Sequence, residues 1–153
     1  MSEYLKHILK KADRFEAIHK YDDAIDLYDK LIESDYCEAR LFALRGYSKF
    51  KAKYYSDAIN DFSKAIDLKA DVPTTFFYRA RSKEEIGDID GALDDYKKSA
   101  ELDYDKPDVH INMGMIYEYL GDVKKAMEEY QITLKLDPEN EIAINSLEVL
   151  CNQ

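Results

Sequence analysis

Glycine and proline are scarce: five Gly and three Pro in 153 residues. That composition excludes long turn-rich or disordered stretches. No apolar run approaches the roughly 18 residues of a membrane span. The opening MSEYLKHILKK has charges on both sides of a short apolar patch and no small-residue cleavage site, so it reads as structure, not as a signal peptide. Basic residues are in the minority, 22 Lys and Arg against 32 Asp and Glu, for a net charge of −10. A broad nucleic-acid surface needs clustered Lys and Arg to displace counterions, so neither nucleic acid nor an anionic membrane is an expected partner. The plain consequence of the acidity is solubility. There are two cysteines, Cys37 and Cys151, and no CxxC. A reduced, cytoplasmic protein is expected, and nothing in the sequence supports a disulfide between them. With 46% hydrophobic residues the chain can bury the core of one domain, residues 1–153.

What is present is a repeat. YDDAIDLYDKLI begins at Tyr21, YSDAINDFSKAI at Tyr55, IDGALDDYKKSA at Ile89 and VKKAMEEYQITL at Val123, each 34 residues after the last. Aligned as 5–38, 39–72, 73–106 and 107–140, the units share columns. Ala24, Ala58, Ala92 and Ala126 form one; Tyr28, Phe62, Tyr96 and Tyr130 another; Ala12, Gly46, Ala80 and Gly114 a third. Ile8, Phe42, Phe76 and His110 fill a mostly bulky fourth. A small residue facing a small residue lets two helix backbones approach, and an aromatic four residues after the Ala lies on the same face and plugs the gap toward the next repeat. Each unit therefore reads as two antiparallel helices. The first, for example 74–86, stops near Gly87 or Gly121, which accept the left-handed conformation. The second begins at Asp22, Ser56 or Asp90, residue types that cap free N–H groups, with Lys124 breaking the pattern. Nine helices and no strand are expected, the ninth a short cap over 141–153 begun by Asn140. Its stripe Ile144, Leu147 and Cys151 is expected to cover the second helix of unit four, leaving Ile142, Val149 and Leu150 off it. A cap that incomplete predicts weak homo-oligomers through the C-terminal helix. Arg45 with Asp61, and Arg79 with Asp95, are each 16 apart and read as structural ion pairs; Met113 and Glu129 replace them in unit four, and Lys11 and Leu27 in unit one.

These columns resemble the tetratricopeptide repeat family, whose 34-residue helix-turn-helix units stack into a right-handed α-solenoid. The resemblance covers 5–140. It departs where only the fourth unit has the family's late proline, Pro138, with Tyr36, Ala70 and Tyr104 at the equivalent places, and where His19 replaces a usual Gly. It implies a single all-α domain that binds a protein or peptide along the concave side lined by the first helices.

Catalytic and metal signals are weak. His7, His19 and His110 are dispersed, with no HxxxH and no acidic or Cys ligand at a metal spacing. GDIDG, residues 87–91, places Ser99 where a calcium loop needs its bidentate Glu. Glu84 and Glu85 diverge on a helix, and Cys37 has no nearby His or Lys to activate it. No enzyme and no cofactor are expected.

The resemblance puts five basic and six acidic residues on the inward positions, so most of the excess negative charge lies elsewhere. It makes the centre aromatic and apolar. The expected groove residues are Arg40, Leu44, Tyr47, Phe50, Lys51, Phe77, Tyr78, Arg81, Ile111, Asn112, Met115 and Tyr119. An apolar patch with Tyr and Arg suits a partner site. Basic residues gather at Lys6, Lys10, Arg40 and Lys51, and acids at Glu84, Glu85, Asp108 and Glu118, so a peptide of opposite polarity with a central apolar anchor is expected. If the tyrosines stand free in the unbound chain, removing Tyr78 should barely move stability. The two-carboxylate clamp by which some members of the family hold chaperone C-termini is missing: Leu9, Asp13, Leu44, Thr74 and Tyr78, or one unit on Ala43, Tyr47, Tyr78, Asp108 and Asn112, stand in its places. The function expected is a scaffold or adaptor. The alternative is a structural solenoid that mainly self-associates.

Overall fold

The computed structural model describes residues 2–34, 38–68, 72–102 and 106–152. Among them are nine helices and no strand: α1 (Glu3–Ala17), α2 (Tyr21–Ile32), α3 (Ala39–Lys51), α4 (Tyr55–Asp67), α5 (Pro73–Glu85), α6 (Ile89–Glu101), α7 (Pro107–Tyr119), α8 (Val123–Leu136) and α9 (Glu141–Cys151). Each helix packs on the one before and the one after it, and α3 also meets α5. This is the all-α repeat solenoid that the columns require. Tyr36, Cys37, Ala70 and Tyr104 lie outside the described residues; Cys151 is a free, exposed thiol.

All four columns are buried. The small residues do a different job from the expected one. A Cβ on Gly46 would lie 2.9 Å from the Phe62 ring, and one on Gly114 2.6 Å from the Tyr130 ring. Small meets large here: the aromatic of the second helix lies on the backbone of the first and closes its own hairpin. The turn between the two helices needs a left-handed residue. Gly87 and Gly121 supply it at φ of 83° and 78°, while His19 and Lys53 adopt it at 60° and 67°, a conformation that costs a residue with a Cβ roughly 1 kcal/mol.

The second helices start earlier than expected. Their caps are Lys20, Tyr54, Asp88 and Asp122. Asp88 accepts from the Gly91 N–H at 3.1 Å and Asp122 from the Lys125 N–H at 3.2 Å; Lys20 and Tyr54 make no side-chain cap. Asp22, Ser56, Asp90 and Lys124 sit inside the first turn, where the two aspartates face the positive end of the helix. Pro73 and Pro107 open α5 and α7 at positions whose N–H has no helical partner.

Both predicted ion pairs form within a hairpin. Arg45 grips Asp61 with two nitrogens at 2.8 and 2.6 Å, and Arg79 grips Asp95 at 2.8 and 2.7 Å. Lys49 and Lys83 add a second cation to each carboxylate, at 2.8 and 2.9 Å. Arg45 also reaches Asp29 on α2 at 2.5 Å, tying unit two to unit one. In unit four, Glu129 is taken by His110, whose Nδ1 lies 2.7 Å from it.

The ninth helix starts as expected, with Asn140 accepting from the Ala143 N–H at 3.2 Å. Its packed face is not the expected one. Ala143 and Leu150 are buried and Leu147 half-buried, whereas Ile144 and Cys151 are exposed. Both stripes have helical spacing. The reason for the choice is register: Ala143 and Leu150 continue, by 34 residues, Val109 and Ile116, which are buried in α7. Ile144 continues the column of Phe42, Phe76 and His110, which in the complete units is buried. Among the described residues no second helix covers α9, and Ile144 is exposed.

Candidate binding groove

Where first helices lie side by side, three cavities follow one another and share walls. The first, about 390 Å³, opens between α3 and α5 and is lined by Arg40, Ala43, Leu44, Tyr47, Phe62, Val72, Thr74, Thr75 and Tyr78. The second, about 350 Å³, is bounded by Phe77, Tyr78, Arg81, Asp108, Ile111, Asn112, Met115 and Ile142. The third, about 450 Å³, lies between α7 and α9, with Met115, Glu118, Tyr119, Tyr130, Ile142 and Ser146 around it. Tyr78 joins the first two, and Met115 with Ile142 the last two.

Packed rings hold the centre. Tyr78 meets Tyr47 edge-on at 4.9 Å between centroids, Phe50 at 5.4 Å and Phe77 at 5.3 Å. The Arg81 guanidinium lies 5.2 Å from the centre of the Phe50 ring, a contact that fixes it at the groove surface. The tyrosines are therefore not free in the unbound chain, and the expectation that Tyr78 is dispensable for stability is corrected.

Hydroxyls from the core reach the groove. The Tyr96 phenol donates to Glu84, the Tyr130 phenol to Glu118 at 2.8 Å, and the Tyr28 phenol to Asp13 at 3.4 Å. Ser48 also donates to Glu16. Burial raises the Glu84 carboxyl above its ordinary value, against the Tyr96 hydrogen bond and Arg81, which lower it. Burial raises Glu16 in the same way. The Tyr96 and Tyr28 phenols are driven far up, by burial first and then by the adjacent carboxylates. Burial and the bond to Glu118 push Tyr130 up to about 12.

Of the twelve expected residues, Arg40, Leu44, Tyr47 and Tyr78 line the first cavity; Phe77, Tyr78, Arg81, Ile111, Asn112 and Met115 the second; Met115 and Tyr119 the third. Phe77 and Ile111 are only 5% and 6% exposed and serve chiefly as floor. Phe50 packs beneath Arg81 and lines none of these cavities. Lys51 is turned to α2, its ammonium 5.9 Å from the Tyr21 ring centre. Ile142 and Ser146 were missed. Their signal was available: they stand 34 residues beyond Asp108 and Asn112, so α9 carries the groove register past the fourth unit. Among the described residues no group of three or more His, Cys, Asp and Glu could hold a metal ion, and no helix is long and apolar enough to cross a membrane.

Stacked helical hairpins with a continuous groove along their first helices define an α-solenoid of the helix-turn-helix repeat class. Two sequence models described as tetratricopeptide repeat match the chain, over residues 9–73 and 107–140. The chain belongs to the tetratricopeptide repeat family. Among solved structures it resembles MamA protein, at TM-score 0.90 and 20% identity over 99% of this chain and 83% of that one. It also resembles YrrB, described as a TPR protein with an unusual peptide-binding site, at TM-score 0.83 and 19% identity over 95% and 75%. The first TPR domain of Spaghetti (RPAP3), bound to the HSP90 peptide SRMEEVD, aligns at TM-score 0.69 and 23% identity over 79% and 96%. At these identities the likeness is one of fold. No curated protein sequence matches the chain.

Proposed function

We propose that this chain is a non-enzymatic interaction module of the cytoplasm, a scaffold or adaptor that holds a peptide segment of a partner protein in its groove. The observation that carries the reading is the apolar cavity between α3 and α5, walled by Leu44, Tyr47 and Tyr78 and held open by packed rings. Concave apolar sites with a few polar groups are where ligands bind. Family membership supports the reading, as do the peptide-binding site of YrrB and the peptide on Spaghetti. The ligand differs from an acidic chaperone terminus, because Leu9, Asp13, Leu44, Thr74 and Tyr78 cannot supply the Lys, Asn and Arg donors of a carboxylate clamp.

Panning a displayed random dodecapeptide library on the full chain tests this. Selected peptides should lose affinity for Tyr47→Ala and Arg40→Glu chains that circular dichroism shows to be folded. Failure to enrich any peptide, or binding indifferent to both variants, refutes the reading. A second reading, self-association, rests on the open face of α9 at Ile144. Light scattering separates the two, since a concentration-independent monomer favours the adaptor.

A further inference from the structure

Resting on the peptide-groove reading, we propose that α9 is a working part of the groove, and that the ligand is an extended segment with two apolar anchors about six residues apart and a basic residue between them. The anchors would occupy the α3/α5 cavity and the α7/α9 cavity. Ile142 and Val149 are 53% and 56% exposed. With Ser146 they form one face of α9, at i, i+4 and i+7. A helix that served only to seal the stack would carry polar residues there. Met115 and Tyr119 face the same cavity from α7 and are 51% and 78% exposed. Met115, Tyr119 and Ile142 thus gather around the far cavity, and Val149 extends the same face of α9 two turns beyond Ile142.

Spacing follows from the stack. Neighbouring helices pack about 10 Å apart, and the two cavities are two units apart, roughly 20 Å. An extended chain rises about 3.3 Å per residue, which gives about six residues between anchors. The stretch between is polar and acidic. Glu84, Glu85 and Asn112 stand around Arg81, and Asp108 borders the second cavity. Arg81 is engaged with the Phe50 ring and offsets one carboxylate of three. The surplus negative charge favours Lys or Arg at the middle of the ligand. At the outer end of the first cavity, exposed Arg40 makes no ion pair among the described residues and disfavours a basic residue before the first anchor.

The test uses the peptides panned on the full chain, synthesised with a fluorescein label and titrated by anisotropy. Enrichment of two apolar positions five to seven residues apart around Lys or Arg is expected on the spacing above. Ile142→Ser with Val149→Ser should weaken the best peptide about tenfold or more; both side chains are exposed, so the fold is retained. Glu85→Gln with Asp108→Asn should weaken it and flatten its salt dependence. Peptides that need Tyr47 but ignore the α9 variant, or that carry an acidic centre, overturn this inference and leave the peptide groove standing. Peptides that ignore Tyr47, Arg40 and α9 alike, or no peptides at all, overturn the groove itself.

Discussion

Asp95 and Asp61 occupy one column of the repeat, yet their loss should cost different amounts. Asp95 is almost fully buried and neutralises two cations, Arg79 through two hydrogen bonds and Lys83 through one. Asp95→Ala leaves both cations largely buried and without a carboxylate. Removing one side of a buried pair costs about 3–5 kcal/mol. Asp61→Ala strips Arg45 and Lys49 in the same way, but Arg45 keeps Asp29 at 2.5 Å. Thirty-four residues on from Asp29 stands Ser63 of α4 in unit two, a neutral acceptor 3.1 Å from Arg79 of unit three. A retained charge-assisted bond is worth about 1.5–3 kcal/mol in general, and Asp29 is partly exposed, so Asp61→Ala should be cheaper by about 1–2 kcal/mol. Urea unfolding followed by far-UV circular dichroism measures both. At roughly 2–4 °C per kcal/mol for a chain of this length, Asp95→Ala should lower the melting temperature by about 10 °C. Adding Asp29→Ala to Asp61→Ala should close the gap, and Ser63→Asp should soften the loss of Asp95. Equal single costs, or a dearer Asp61, would refute the view that the inter-unit contact of Arg45 supports stability.

Three further outcomes follow from the geometry. Glu84→Gln keeps an acceptor for Tyr96 and removes a carboxyl whose folded value is raised by burial. The folded chain holds that proton more tightly than the unfolded chain, so wild-type stability is fully present below the ordinary value of 4.5 and falls as pH rises through the raised one. The variant should therefore be the more stable at pH 7, with the advantage gone near pH 4, and the opposite order in urea midpoints would contradict the desolvation argument. Tyr78→Ala should weaken groove peptides by roughly ten- to a hundredfold and also lower stability by about 1–2 kcal/mol, since it removes three ring contacts; unchanged stability would mean the ring cluster contributes nothing. On α9, Leu150→Ala should destabilise by about 2 kcal/mol, while Ile144→Ser should leave unfolding unchanged and abolish any association seen by light scattering at high concentration.

The period was legible because every buried column recurs without insertion, so four weak patterns add. The helix starts were less so. Lys20 and Tyr54 cap without a side-chain bond, and the polar residues just inside each helix imitate caps. On α9 two interleaved stripes, 144/147/151 and 143/147/150, have the same spacing, and amphipathicity alone does not choose between them. Adding 34 to Val109 and Ile116 does. In the groove, column position told which way a side chain faces but not how deep it sits. Phe77 lies at an inward position and still sinks against the Tyr96 ring, 5.7 Å away, while Met115 and Tyr119 stand clear.

One column links the core to the groove. Glu16, Phe50, Glu84 and Glu118 are each 34 residues apart, and each lies 12 residues before the aromatic of its own hairpin, Tyr28, Phe62, Tyr96 and Tyr130. Where the core ring is a tyrosine, its buried hydroxyl needs an acceptor; Glu84 receives it from Tyr96 and Glu118 from Tyr130, while Tyr28 donates to Asp13, with Glu16 taken by Ser48. Where the core ring is Phe62, there is no hydroxyl to satisfy, and the groove residue is Phe50. A carboxylate there would be half-buried with no phenol to bind; a phenylalanine instead packs at a tilt against Tyr78 and Tyr55 and carries Arg81 on its face. The missing oxygen on Phe62 thus goes with a phenylalanine at this position, and the oxygens on Tyr96 and Tyr130 with the carboxylates Glu84 and Glu118. Phe50→Glu would accordingly put a carboxylate opposite a core ring that has no hydroxyl to offer it, and would remove the ring contacts with Tyr78 and Tyr55 and the seat of Arg81.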